Sequence, residues 1–99
     1  RKADTIVTGG ENVAPVEVES VLLEHPGVVD VAVFGRDDPE WGEAVVAQVV
    51  LADGTEVEAE ALRAHCAARL APLKVPKRFE PVSGVPRGAT GKLLRRDLR

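Results

Sequence analysis

Aromatic side chains are nearly missing from this sequence. Phe34, Phe79 and Trp41 are the only ones among 99 residues, and there is no Tyr and no Met. A core must therefore be built from Val, Leu and Ala, and the 44% hydrophobic content allows one small domain of that kind. Cysteine is reduced to Cys66, which excludes an internal disulfide and points to a reducing, cytoplasmic setting. A lone cysteine inside a helical pattern reads as core filler. No apolar run approaches the roughly 20 residues that span a bilayer, and no signal peptide is present, so no membrane span is expected.

Charge is present but unevenly placed. The net charge of −3 combines an acidic body with a basic end. Residues 1–71 carry five basic and 14 acidic residues, a net −9, whereas residues 72–99 carry eight basic and two acidic residues, a net +6. A basic end suggests an anionic partner. With only Phe79 to stack on bases, the partner expected is a phosphate-bearing small molecule and not nucleic acid.

The chain opens on Arg1-Lys2-Ala3-Asp4 without Met and reads as a domain cut from a longer polypeptide. Thr5 to Thr8 reads as a strand, Gly9-Gly10 as a tight turn, and Glu11-Asn12-Val13 as a short return, giving an N-terminal β-hairpin. Pro15 opens a helix with Val18, Val21 and Leu22 on one face, stopping at His25-Pro26-Gly27. His25 is expected to close that helix end and not to act as a base. Val28 to Phe34 and Ala44 to Leu51 read as buried strands, separated by a polar loop over 35–43 that holds Trp41. Asp53-Gly54 marks a turn, and Thr55 with Glu58 forms a capping box for a helix bearing Ala59, Leu62, Cys66 and Leu70 on one face. His65 lies beside that face as a structural or exposed residue. Phe79 to Val82 is a third short strand. Residues 83–91 form a flexible approach to a last helix, with Leu94 and Leu98 inward and Arg95, Arg96 and Arg99 outward. The fold class is α+β: a small sheet of about three strands flanked by two or three helices, plus the hairpin. No repeat or low-complexity segment is present.

Gly88-Ala89-Thr90-Gly91-Lys92-Leu93 carries the clearest chemistry. Glycines let backbone approach a ligand closely, and Lys92 offers a cation suited to a phosphate whose charge builds in a transition state. A phosphate-binding P-loop is excluded: it requires Gly at 86, which is Pro, and Ser or Thr at 93, which is Leu. Taken alone, the segment reads as an ordinary loop with an exposed lysine.

It is not alone. The stretch from Arg1-Lys2-Ala3-Asp4-Thr5-Ile6-Val7-Thr8-Gly9-Gly10 through Glu11-Asn12-Val13-Ala14-Pro15-Val16-Glu17-Val18-Glu19, paired with Pro86-Arg87-Gly88-Ala89-Thr90-Gly91-Lys92-Leu93-Leu94-Arg95, resembles the adenylate-forming superfamily. Glu24-His25-Pro26-Gly27-Val28 and Asp38-Pro39-Glu40-Trp41-Gly42-Glu43 are similar to the same pattern, so the resemblance covers essentially the whole chain. It implies the C-terminal lid of an acyl-CoA ligase, working with a large N-terminal domain of the same polypeptide. Such enzymes join a carboxylic acid substrate to the α-phosphate of ATP, then rotate the lid so that the thiol of CoA takes the acyl group. By the matched motifs, Lys92 would bridge carboxylate and α-phosphate. Gly9 and Gly10 would line the pantetheine tunnel. Trp41 and Lys77 would meet the CoA nucleotide. Ala3, where the family often has Asp or Lys, would be the hinge, with Asp4 beside it. The resemblance places the Mg2+ that accompanies ATP mainly on the large domain and implies no metal site in this chain.

Two other functions compete with the CoA-ligase lid. One is the lid of a carrier-protein-loading adenylation domain, in which Asn usually stands where this sequence has Thr90. The other is a non-catalytic interaction module, which leaves the ordered motifs unexplained. The Thr-Gly-Gly-Glu-Asn stretch is similar to o-succinylbenzoate- or fatty-acid-type ligases. The acyl substrate itself is not written in this chain.

Overall fold

The two valine-rich runs pair with each other and set the frame. A computed structural model describes residues 4–98. In it, β3 (Val28–Asp38) and β4 (Gly42–Leu51) form a long antiparallel hairpin, with Val31 opposite Val49 and Phe34 opposite Val46. Both runs are β-branched and nearly all apolar because both faces of this hairpin are buried. Val31, Val33, Val45 and Val49 join Ile6, Val13, Val18, Leu22, Leu62 and Cys66 in one core. Ala32, Phe34 and Val46 are equally buried.

Ahead of this hairpin lie β1 (Ile6–Thr8) and β2 (Glu11–Val13), joined by Gly9-Gly10 as expected. β1 pairs with β4 through Thr8 opposite Gly42. β5 (Arg78–Pro81) runs parallel to β4 over Val46–Val49. The expected sheet of about three strands is therefore a mixed, five-stranded one in the order β2-β1-β4-β3, with β5 also on β4. The α+β class stands.

α1 (Pro15–Leu23) starts at its proline and turns Val18 and Leu22 inward. His25 closes its end as expected: its Nδ1 accepts the Gly27 N–H at 3.0 Å. His65 on α2 (Ala59–Ala67) is also structural, donating from Nε2 to the Val21 carbonyl at 2.7 Å, with the two imidazoles edge to face at 5.3 Å. Cys66 is wholly buried, and that burial pushes its thiol up to about 11, as befits core filler.

Four local expectations are corrected. The polar loop over 35–43 is mostly strand, because ladder pairing continues past the buried part through Arg36–Ala44 to Asp38–Gly42. The Thr55–Glu58 capping box does not form; Glu58 is the N-cap residue and makes no side-chain cap. Residues 55–57 are instead drawn across Gly27, where a Cβ would stand 2.8 Å from the Val57 methyl. The expected approach over 83–91 is not unstructured throughout, because residues 86–94 close as a hydrogen-bonded hairpin. The last helix is a single 3-10 turn, Arg95–Asp97, and Arg95 points inward with its side chain only 13% exposed. Arg99 and the hinge position Ala3 lie outside the described residues.

Candidate functional site

The candidate residues separate into two groups at the two ends of β1. At the far end, Thr8-Gly9-Gly10-Glu11 is a two-residue hairpin turn with φ of +56° at Gly9 and +80° at Gly10, the left-handed pair that only glycines adopt freely. Gly9 also has no room for a side chain: a Cβ would lie 3.2 Å from Trp41 Cε3 and 3.4 Å from Leu73 Cδ2. Nothing lies within 4 Å of a Cβ built on Gly10, so that glycine faces open space.

Trp41 is set against Gly9 by its own loop. Asp38 Oδ1 accepts the N–H of Glu40 at 2.8 Å and of Trp41 at 3.0 Å, which folds Pro39-Glu40-Trp41 into a tight connection. The Trp41 carbonyl then accepts the Gly9 N–H at 2.9 Å. Lys77 enters from the start of β5, its N–H bonded to the Val45 carbonyl at 2.8 Å, and places Nζ 4.2 Å from the centroid of the indole ring. Gly9, Trp41 and Lys77, far apart in sequence, are thus one cluster with Gly10 at its rim.

At the near end of β1, Asp4, Lys92, Leu93, Leu94, Arg95 and Arg96 line an open concavity of about 280 Å³. Lys92 is exposed on a hairpin closed by Arg87–Leu93 pairing, with the Gly88 N–H donating to the Lys92 carbonyl at 2.8 Å. Gly91 turns that hairpin with φ of +84° and donates its N–H to the Gly88 carbonyl at 2.9 Å. The chemistry such a site offers is mobile positive charge on a fixed backbone. Lys92 and Arg96 are exposed there beside Asp4, while Arg95 is turned inward to Glu19, and the two exposed cations suit a phosphate.

Several residues that hold these groups are silent in the sequence. Glu43 Oε1 accepts the Val7 N–H at 2.8 Å and so anchors β1 where its pairing with β4 is a single residue pair. Glu19 and Arg95 form an ion pair at 2.6 Å across 76 residues of sequence. Arg87 grips Asp30 with Nη2 at 2.6 Å and Nε at 3.2 Å. No local signal in the sequence reports pairs so distant.

The Arg87 guanidinium, through its hydrogen bonds, holds the Asp30 carboxyl below its ordinary value of 3.8. A carboxylate lowered in the folded state stabilises the fold above its unfolded value and loses that contribution as pH falls through the folded value. The attachment of the Lys92 hairpin at Asp30 should therefore weaken only in acid, below a pH of about 4. Carboxyl NMR titration should show Asp30 protonating at a higher pH in Arg87→Ala than in the parent. An unchanged titration would mean that the pair does not form in solution.

With this geometry in place, comparison with known proteins is decisive. The AMP-binding enzyme C-terminal domain family matches residues 17–92. The chain belongs to this family. It is 48% identical over 99 residues to 2-succinylbenzoate–CoA ligase of Geobacillus kaustophilus, covering 100% of the chain and 20% of that protein. A fatty acid–[acyl-carrier-protein] ligase, ScoC, of Streptomyces coeruleorubidus is 46% identical over the same span, 19% of its length. The o-succinylbenzoate CoA synthetase of Bacillus subtilis, solved with its acyl-adenylate intermediate, superposes with a TM-score of 0.94 at 44% identity, covering 100% of the chain and 20% of that structure. The AMP-binding C-terminal domain described here thus spans about a fifth of the relatives it matches. No helix among its described residues is long and apolar enough to cross a membrane.

Proposed function

We propose that the chain is the C-terminal lid of a cytoplasmic CoA ligase, which turns a carboxylic acid into an acyl-adenylate with ATP and passes it to CoA. The observation that carries this reading is the placement of the two candidate groups at opposite ends of β1. Asp4 and Gly9 flank β1 five positions apart, at most roughly 15 Å by strand rise. A lid with its two candidate groups at opposite ends of a strand can present one and then the other by rotating, and so serve two steps. Ala3 and Asp4, just ahead of β1 in the sequence, are the proposed hinge.

In the adenylating pose, Lys92 brings its ammonium to the carboxylate and the α-phosphate, offsetting the repulsion of two anions that must meet. In the second pose, Gly9 and Gly10 line the path of the pantetheine arm: Gly10 leaves space, and Gly9 lets Trp41 close over the turn. Trp41 offers an indole face to the adenine of CoA. Lys77 now covers that ring. Adenine stacking there would displace the ammonium and free it for a CoA phosphate. The same reading puts the acyl pocket, and the Mg2+ that accompanies ATP, on the large domain.

The carrier-protein ligase among the relatives supports a second reading, in which the acceptor is a carrier's pantetheine arm. A nucleotide platform of Trp41 and Lys77 favours CoA, because a carrier-bound arm has no adenine. The decisive experiment offers CoA and a carrier protein bearing a free phosphopantetheine thiol to the full-length enzyme, and tests the isolated 99 residues alongside. Thioester is expected with CoA from the full-length enzyme, and no ATP–pyrophosphate exchange from the isolated chain. Turnover with the carrier alone would reverse the choice of acceptor, and exchange by the isolated chain would refute the role of lid.

A further inference from the structure

The Lys92 hairpin is fastened to β3 by two arginines, and the two attachments share one design. β4 occupies one side of β3, and no strand among the described residues pairs with the other. Backbone groups on such an edge need other partners. Here Asp30 Oδ1 accepts the Val31 N–H at 2.9 Å, and Glu19 Oε2 accepts the Val33 N–H at 2.9 Å. Each carboxylate then holds a guanidinium of the C-terminal segment, Asp30 that of Arg87 and Glu19 that of Arg95. Arg95 Nε completes the second attachment by donating to the Val33 carbonyl at 3.1 Å. Glu19 and Arg95 together satisfy both backbone groups of Val33, as a neighbouring strand would.

The attachment at Arg95 is the more enclosed one. The side chains of Arg95 and Glu19 are 13% and 12% exposed, against 39% and 33% for Arg87 and Asp30. Arg95 also reaches Asp4 Oδ2 at 3.5 Å, which ties the Lys92 segment to the chain entering β1. A charge pair this sheltered, with hydrogen bonds on both partners, is fixed in geometry and little screened by salt. Lys92 stands three residues before Arg95. Between them the Leu94 N–H is bonded to the Pro86 carbonyl at 2.9 Å, so the connection has little slack.

We propose that Arg95 is a positioning residue for adenylation, setting through Glu19 and Val33 the place from which Lys92 reaches the reacting groups. The proposal rests on the role given to Lys92 above. Lysine's four-carbon stem is flexible, so the precision of its ammonium depends on where its backbone is held.

The test compares Arg95→Leu, Arg95→Lys, Lys92→Ala and the double variant Lys92→Ala/Arg95→Leu in the full-length enzyme. Arg95→Leu should lower ATP–pyrophosphate exchange about 10- to 100-fold, the scale of a displaced catalytic group, and leave thioester formation from supplied acyl-adenylate unchanged. Arg95→Lys keeps the charge but not the fork, and should show a smaller loss in the same step. In the double variant Arg95→Leu should add nothing, because a displaced lysine and a missing one fail alike. Additive losses, parallel losses in both half-reactions, or full exchange activity in Arg95→Leu would overturn the proposal. If Arg95→Leu does not fold, Arg95→Lys decides by the same split between half-reactions. If only the Arg95 variants retain exchange, this inference alone falls; if Lys92→Ala retains it too, the reading of Lys92 falls with it.

Discussion

Replacing Lys92 by Ala in the full-length protein is expected, on the proposed role, to lower ATP–pyrophosphate exchange on the order of 100- to 1000-fold, the usual cost of removing one preorganised charge from a transition state. Thioester formation from supplied acyl-adenylate should be unchanged. The asymmetry follows from the two ends of β1. Lys92 shares its concavity with Asp4 and Arg95, whereas the Gly9 turn, Trp41 and Lys77 sit at the other end. Under the proposed rotation, the pose that presents the second cluster would leave the ammonium no reacting group to serve. Equal loss in both half-reactions would show that Lys92 supports the fold or both poses, and its assigned role would fail.

The second large effect should be the mirror image. Trp41→Ala is expected to raise the KM for CoA roughly 10- to 100-fold, as the loss of base stacking worth about 1–3 kcal/mol implies. Exchange of pyrophosphate should be spared. Two things go at once in this variant: the surface for adenine and the ring that holds the Lys77 ammonium at 4.2 Å. Trp41→Phe, which keeps a flat face, should recover much of the affinity. An unaltered KM for CoA in Trp41→Ala would mean that the indole only packs the Gly9 turn, and the nucleotide platform would have to be abandoned.

Both expectations began from residues that the sequence displays openly. A glycine pair between short β-branched runs can hardly be anything but a turn, and Gly88 to Leu93 is conspicuous in a basic segment. The valine runs declared β3 and β4 because burial on both faces leaves no polar alternation to confuse them. The errors share a cause. The ends of β3 and β4 carry Arg36, Asp37, Asp38 and Glu43, whose polar character reads as loop, yet the ladder simply continues into solvent. Arg95 was expected outward because a helical period assigns a face from neighbours a few residues away. Its true partners, Glu19 and Val33, are 76 and 62 residues distant and follow from tertiary packing alone. The parallel pairing of β5 is non-local for the same reason. Sequence reading thus located the candidate groups and missed the carboxylates and guanidiniums that hold their segments in place.

The free edge of β3 bears on solubility as well as on the placement of Lys92. An 11-residue edge strand left bare in water is an open template for self-association. At Val31 and Val33 that template is filled by Asp30, Glu19 and Arg95, so an intruding strand finds charged side chains where it needs free amides. The contacts that fasten the Lys92 hairpin to β3 therefore also guard that strand against edge-to-edge pairing and aggregation.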